Sequence, residues 1–337
     1  MKVAIVGYNT CCLNYSGGVQ VRVKKIYELL SKHNGIEVEY FRPMETDFDS
    51  IDIFHFFKLE PEYFNLAVRV KKRRKKIVIS SIVPLCGGLK LDLFKVINKF
   101  PILTNYKMQQ FVLNAADKVI AETYQEATFI TKHYSIDADR IVVIPNGIDD
   151  FNYEGREIYE HIGGEKEYVL QVGLVHENKN QANTIKAIKG TGIDLVIIGG
   201  ENNGDVEYIN YCKEIAKGDE HIHFLGWIDN SSAILKSAYA NAKVLVFPSY
   251  NETFGLVALE GAMAGCNVAM TNSLPIHDFH AFDDCWLFDP NNIPDMREKI
   301  ISAFNSPKTE CVKKRVKEIF SWDKIIDEHI HLYSSLL

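Results

Sequence analysis

Two glutamates separated by seven residues, Glu252 and Glu260, bracket the nearly apolar stretch TFGLVAL. An apolar run, VLVF, ends at Pro248, and the polar turn after it carries Glu252. A helix of small residues is predicted to begin near Gly255, which sets Glu260 about a turn and a half inside it. Neither carboxylate lies on a plainly solvated face, and a buried carboxylate is costly unless it accepts strong hydrogen bonds. Vicinal hydroxyls, as on ribose and hexose, offer such donors in pairs. The first backbone N–H groups of a helix have no internal partners and carry the positive end of its dipole, so they suit a diphosphate or sugar hydroxyls. The plainer alternative is a glutamate-capped helix with an incidental second glutamate. The context PSYNETFGLVALEGAMAG weighs against it, since Gly261 and Gly265 allow close approach to a strand or ligand.

The other reactive side chains form weaker patterns. Seven cysteines are an odd number without a C-x-x-C or metal-type spacing, which reads as a reducing, cytoplasmic setting. His221 and His223 fall on one face of a predicted strand with no third ligand nearby in sequence, and a structural pair is expected. Asp137 and Asp139 form a D-x-D in a connecting loop, where aspartates are turn formers, so no metal is expected, nor any other cofactor. His55, at the end of the run DIFHFF, is open to a site role or a structural one. Gly17-Gly18 suits a tight turn after the first strand. It is not the G-x-G-x-x-G of a dinucleotide fold, which argues against a nicotinamide dehydrogenase.

These residues need elements to hold them. A chain of 337 residues fits two domains of about 150 each. Short apolar, β-branched runs alternate with helical patterns throughout. In the first half they are Val3–Val6, Glu37–Phe41, Ile51–Phe56, Ile77–Ile82, Lys118–Ala121 and Ile141–Ile144. In the second they are Tyr168–Val172, Asp194–Ile198, His221–Leu225, Val244–Phe247, Asn267–Met270 and Cys285–Phe288. Runs such as VLVF are apolar throughout, which suits parallel strands covered on both faces, and the helical stretches supply crossovers. Each half therefore reads as a doubly wound α/β sheet. The boundary falls in IPNGIDDFNYEG, where Asn146-Gly147 can take the positive φ of a sharp exit, giving domains 1–150 and 151–312. The tail, 313–337, is a single helical pattern. No stretch approaches the roughly 20 apolar residues of a membrane span, and MKVAIVGYN reads as a first buried strand rather than a signal peptide.

The segment FPSYNETFGLVALEGAMAG resembles the E-x7-E element of retaining glycosyltransferases of the GT-B fold, glycosyltransferase family 4 (the glycosyl transferases group 1 domain). The likeness covers most of the chain. Gly17-Gly18 resembles the glycine-rich donor loop, IPNGID the interdomain strand end, and YVLQVGLVHENKNQ the opening of the second domain. LGWIDNSS is similar to the nucleobase-facing loop, with Trp227 beside the base, and FSWDKI to the C-terminal crossover helix. The resemblance implies two Rossmann-like domains facing across a cleft. The first would bind acceptor and the second the nucleotide-sugar donor, with 313–337 crossing back to the first. It places Glu260 on the donor ribose, Glu252 near the transferred sugar, and the amides of Phe254, Gly255 and Leu256 on sugar hydroxyls and phosphate. Lys179, beyond Gly173, matches a lysine that neutralises the leaving diphosphate. Leu174 stands where an arginine is usual, so one positive charge is missing. Ser80 and Ser81 occupy a region where the family often has a histidine, and His55 is another such position.

What this implies is metal-independent transfer of a hexose, with retention, from a UDP- or GDP-linked sugar to a glycan or lipid-linked glycan. The setting implied is bacterial surface polysaccharide or lipopolysaccharide assembly. A sugar-nucleotide epimerase of the same fold and a non-catalytic nucleotide-sugar-binding protein stay open as alternatives. The net charge of −6 is uneven: residues 1–150 hold 21 Lys+Arg against 17 Asp+Glu, and the rest 17 against 27. The basic half is expected to meet an anion. Nucleic acid is set aside, because no helix-turn-helix, zinc-finger or aromatic RNA-binding signature accompanies the charge. Lys71–Lys76 (KKRRKK), followed by Lys90, Phe94, Lys95, Lys99 and Phe100, has two readings. One is peripheral contact with an anionic inner membrane face, the other a solvated helix end.

Overall fold

Apolar runs without alternation demand cover on both faces, and the chain provides it with two wholly parallel sheets. A computed structural model describes residues 1–7, 18–85, 103–200 and 206–337. The first sheet contains β1 (Lys2–Val6), β2 (Glu37–Tyr40), β3 (Ile53–Phe57), β4 (Lys76–Ser80), β5 (Lys118–Ala121) and β6 (Ile141–Val143). The second contains β7 (Tyr168–Val172), β8 (Asp194–Ile198), β9 (Ile222–Gly226), β10 (Val244–Phe247), β11 (Asn267–Thr271) and β12 (Trp286–Phe288). All twelve coincide, within a few residues, with the runs read from the sequence. Strands β3, β8 and β11 are buried along their whole length, as strands under helices on both faces must be.

Helices make the crossovers. They are α1 (Gly18–Leu30), α2 (Phe64–Lys72), α3 (Asn105–Ala115), α4 (Tyr124–Tyr134), α5 (Ile158–His161) and α6 (Gln181–Ile188). After them come α7 (Val206–Ala216), α8 (Ala233–Asn241), α9 (Leu256–Met263), α10 (Ile293–Asn305), α11 (Cys311–Phe320) and α12 (Trp322–Ser334). The strand orders are β2-β1-β3-β4-β5-β6 and β12-β11-β10-β7-β8-β9. Winding reverses between β1 and β3 in the first sheet and between β7 and β10 in the second. Such a switch point is where open α/β sheets bind ligands, beyond the strand C-termini.

The chain divides into one unit of Met1–Gly147 with Trp322–Leu337 and another of Ile148–Ser321. The division falls at Gly147 rather than Asp150, and the chain rejoins the first unit at Trp322 rather than near residue 313. The tail is two helices instead of one: α11 ends at Ser321, whose backbone turns extended and bridges Ile148. In α12, Trp322, Ile325, Ile326, Leu332 and Tyr333 join the core of the first unit with Val3, Ile5 and Val23. Gly147 is not among the positive-φ residues, contrary to expectation. It is glycine for space, since a Cβ there would lie 2.3 Å from the Trp322 ring.

One packing contact fixes where the second glutamate sits. Gly261 lies on α9 against β10, and a Cβ on it would come 2.3 Å from Leu245 Cδ2. Gly261→Ala should therefore overpack this seam, costing about 1–3 kcal/mol and lowering the thermal midpoint. An unchanged midpoint would mean that α9 is free to shift.

Candidate functional site

In the second unit, the exits of β7, β8 and β10 converge on one edge. Gly173 leaves β7 with φ +142°, and its N–H donates to the Ile198 carbonyl at 2.9 Å. A Cβ at Gly199, just after β8, would stand 1.8 Å from the Gly173 oxygen, so only glycine permits this approach of two loops. The loop after β7 then forms a single 3-10 turn, Glu177–Lys179, closed by Asn180 at φ +56°. His176 caps that turn, its Nδ1 accepting from the Asn178 N–H at 3.0 Å. That nitrogen is thus occupied within the loop.

Asn178 ties this loop to the one after β10. Its carbonyl accepts from the Tyr250 N–H at 2.9 Å, and its Oδ1 accepts from the Asn251 N–H at 3.1 Å. Its Nδ2 donates to the Asn251 carbonyl at 2.8 Å. Gln171, buried in β7, donates from Nε2 to the Lys179 carbonyl at 2.8 Å. These bonds leave Lys179 Nζ 2.5 Å from Glu252 Oε1, an ion pair with side-chain exposures of 26% and 14%. The ammonium also lies 5.9 Å from the Phe247 ring centroid, and the lysine stem passes over Gly173. The pair spans the exits of β7 and β10, which is the switch point of this sheet. Three buried polar atoms at the same edge, Gln171 Oε1, Ser249 Oγ and Thr271 Oγ1, have no hydrogen-bond partner among the described residues.

The helix start expected near Gly255 is there. Gly255 caps α9 with φ +118°, and a Cβ on it would press to 3.2 Å of Phe247. Phe254 is core, its ring edge-on to Phe279 and Phe320, so only its backbone is available to a ligand. Glu260 sits half-buried on α9, and its Oε2 accepts from the Tyr239 hydroxyl at 2.6 Å. Burial raises the Glu260 pKa above the ordinary carboxylate value, and the Tyr239 hydrogen bond opposes that rise. Leu174 and Trp227 are 45% and 64% exposed, two large apolar side chains following β7 and β9.

Lys179, Glu252, Gly173, Phe254, Gly255, Leu256 and Glu260 thus belong to one unit. Trp227 lies in it too, its Cβ 2.8 Å from where a Cβ of Gly200 would be. Gly18 opens α1 in the first unit, and Gly17 lies outside the described residues. His55 is wholly buried in the first unit, with Nδ1 2.7 Å from the Tyr333 hydroxyl and Nε2 2.9 Å from Ser80 Oγ. Neither ring nitrogen is left for a substrate. His221 and His223 both reach Asp194, at 3.4 and 2.6 Å, where Lys166 also binds. Among the described residues no group of His, Cys, Asp and Glu could hold a metal ion.

Sequence reasoning missed Asn178, Gln171 and Tyr239. A glutamine inside the apolar run YVLQV was a visible signal. Asn178 and Tyr239 gave none, because their partners lie 73 and 21 residues away.

In the basic run, Arg73 pairs with Asp49, Lys75 Nζ donates to the Asp49 carbonyl at 2.6 Å, and Lys76 lies 3.5 Å from Asp117. Lys71, Lys72 and Arg74 are exposed. The downstream Lys90, Phe94, Lys95, Lys99 and Phe100 lie outside the described residues. No helix among the described residues is long and apolar enough to cross a membrane.

The profile of the glycosyl transferases group 1 family matches residues 158–318, and that of glycosyltransferase family 4 matches residues 87–150. Over 334 residues the chain is 23% identical to O-antigen chain mannosyltransferase C of Escherichia coli, covering 93% of this chain and 83% of that protein. Its fold is similar to that of sucrose-phosphate synthase from Thermosynechococcus elongatus. The TM-score is 0.78 at 17% identity, over 100% of this chain and 99% of the other. It is also similar to HepE of Anabaena in complex with UDP, with a TM-score of 0.75 at 16% identity, over 99% and 100% of the two chains. These likenesses identify the two-sheet architecture as the GT-B fold.

Proposed function

The chain belongs to the glycosyl transferases group 1 family and is a glycosyltransferase of GT-B fold, and from that premise we propose that it moves a hexose from a UDP- or GDP-linked sugar to a glycan or lipid-linked glycan, with retention. The observation that carries this is the Lys179–Glu252 pair at the β7/β10 switch point, beside the start of α9. A diphosphate there would meet an ammonium and unpaired helix amides together, the two kinds of group that stabilise a phosphate leaving group.

In this reading the second unit binds donor. Lys179 and the amides of Gly255 and Leu256 neutralise the diphosphate, Glu260 accepts from ribose hydroxyls, and Glu252 faces the transferred sugar. Trp227, exposed after β9, lies beside the base. Leu174 supplies no second cation, so the charge falls on Lys179 and the helix start, without a metal. No carboxylate is assigned as nucleophile. Retention is accounted for by front-side attack, in which the leaving phosphate takes the proton of the acceptor hydroxyl. The first unit takes the acceptor, and Lys71, Lys72 and Arg74 give it a basic surface for the inner face of an anionic membrane. The E. coli relative named for O-antigen suggests the setting, assembly of a surface polysaccharide.

Thermal-shift screening against UDP-, GDP-, ADP- and CMP-sugars tests the donor half. A ligand at 100 times its Kd stabilises the native state by about 2.7 kcal/mol, so the right donor should raise the midpoint by several degrees. If no nucleoside diphosphate or its sugar shifts the midpoint, the proposal fails.

A further inference from the structure

We propose that Tyr239 is a positioning residue for the donor site, fixing Glu260 so that one carboxylate oxygen is held by the phenol and the other is presented to a vicinal diol. The inference rests on the assignment of Glu260 to the donor ribose and adds the residue on which that contact depends.

Tyr239 lies on α8, the helix before β10, while Glu260 lies on α9, the helix after it. The ring is buried and stands edge-on to Phe151 with centroids 6.5 Å apart. Cys266 Sγ lies 3.2 Å from the Tyr239 carbonyl, which ties that stretch of α8 to the start of β11. The phenol therefore has little freedom of its own, and its hydroxyl donates to Glu260 Oε2 at 2.6 Å. Among the described residues this is the one side-chain hydrogen bond to Glu260. A single donor on a two-oxygen acceptor leaves Oε1 with unused capacity, which a ribose hydroxyl would fill.

The chemistry of the pair suits the task. Burial drives the Tyr239 pKa well above its ordinary value, with the Glu260 carboxylate adding to the effect, so the phenol stays a donor at any working pH. A bond from a neutral donor to a carboxylate is of the stronger, charge-assisted kind and favours the ionised form of a half-buried acid. Without it, Glu260 would be free to turn or to take up a proton, and either change removes the acceptor for a diol.

The test compares ribo- and 2′-deoxyribonucleoside diphosphates, UDP or GDP as selected by the thermal screen, by titration calorimetry. The proteins are wild type, Tyr239→Phe and Glu260→Gln. Tyr239→Phe should bind the ribonucleotide about tenfold more weakly and the deoxynucleotide almost unchanged, so that the preference for ribose shrinks. Its kcat at saturating donor should stay within about threefold of wild type, with the loss in KM. Equal weakening of both nucleotides would show a merely structural tyrosine and overturn the proposal. So would an intact ribose preference in Tyr239→Phe alongside a lost one in Glu260→Gln. An intact preference in Glu260→Gln would instead remove the ribose assignment itself. Placing 4-aminophenylalanine at position 239 returns a donor to the same place and covers the case in which Tyr239→Phe does not fold. The ribose preference should survive in that protein, and its loss there would also overturn the proposal.

Discussion

Lys179→Met should lower kcat/KM by about 10²–10³-fold and lower thermal stability by only on the order of 1–3 kcal/mol. The two halves of this expectation have different origins. In the free protein Lys179 pairs with Glu252 at 2.5 Å, but both side chains keep some exposure, at 26% and 14%. Removing the ammonium leaves the mostly buried Glu252 carboxylate without that partner, which costs on the order of 1–3 kcal/mol of folding stability. During reaction the ammonium would face a diphosphate that gains negative charge as the glycosidic bond breaks. A lost electrostatic partner then costs about 3–4 kcal/mol of transition-state stabilisation. Leu174 sharpens the effect, since an apolar side chain follows Gly173 and offers no charge to compensate. Release of nucleoside diphosphate under single-turnover conditions measures the activity, and a thermal melt measures the stability. The opposite pattern, a protein that melts early but turns over normally, would make Lys179 a structural pin between the loops after β7 and β10.

The sheets were far more legible than the site. Parallel strands covered on both faces carry short, β-branched apolar runs such as VLVF and LVII, which their length and flanking turn residues set apart from helices. Glu252 stood out through its spacing from Glu260 beyond VLVF, and Lys179 only through the likeness of YVLQVGLVHENKNQ to the opening of the family's second domain. What joins them did not, because Asn178 acts through a contact spanning 73 residues that no local pattern encodes. The Asn146-Gly147 pair shows a different failure. Its composition fits a positive-φ turn, yet the glycine answers a tertiary demand, room for the Trp322 ring. The end of α11 is a further case: the backbone turns extended at Ser321, and helical periodicity runs through the break without marking it.

Below about pH 6.5 the first unit should lose stability through its buried histidines, by on the order of 3 kcal/mol for His329 alone. His329 lies wholly inside α12's packing face, where burial, aided by the Arg22 charge, pushes its pKa down to about 4. The same cause, with His329 and Arg22 nearby, holds His55 well below its ordinary value. A base with a depressed folded-state pKa binds fewer protons folded than unfolded. Its stabilising contribution is therefore complete above the unfolded value of about 6.5 and is lost as pH falls toward 4. Glu126 works in the opposite sense. Burial first, then the neighbouring Glu122, raises its pKa to about 7, although Ser81 and two backbone N–H groups donate to it. Its contribution is complete below the unfolded carboxylate value and is lost as pH rises through the raised one. Between about pH 4.5 and 6.5 the histidine and glutamate slopes oppose each other, so the wild-type curve shows only their sum and variants must separate them. His329→Gln should flatten the acid limb and Glu126→Gln the neutral one, each judged as a difference from wild type. Urea unfolding from pH 4 to 8, followed by Trp322 fluorescence with Trp227 and Trp286 replaced by phenylalanine, reads the first unit alone. Parallel stability curves for wild type and His329→Gln across that range would show that His329 carries no proton linkage. The Arg22 and His55 contacts would then have to account for any acid sensitivity of the unit.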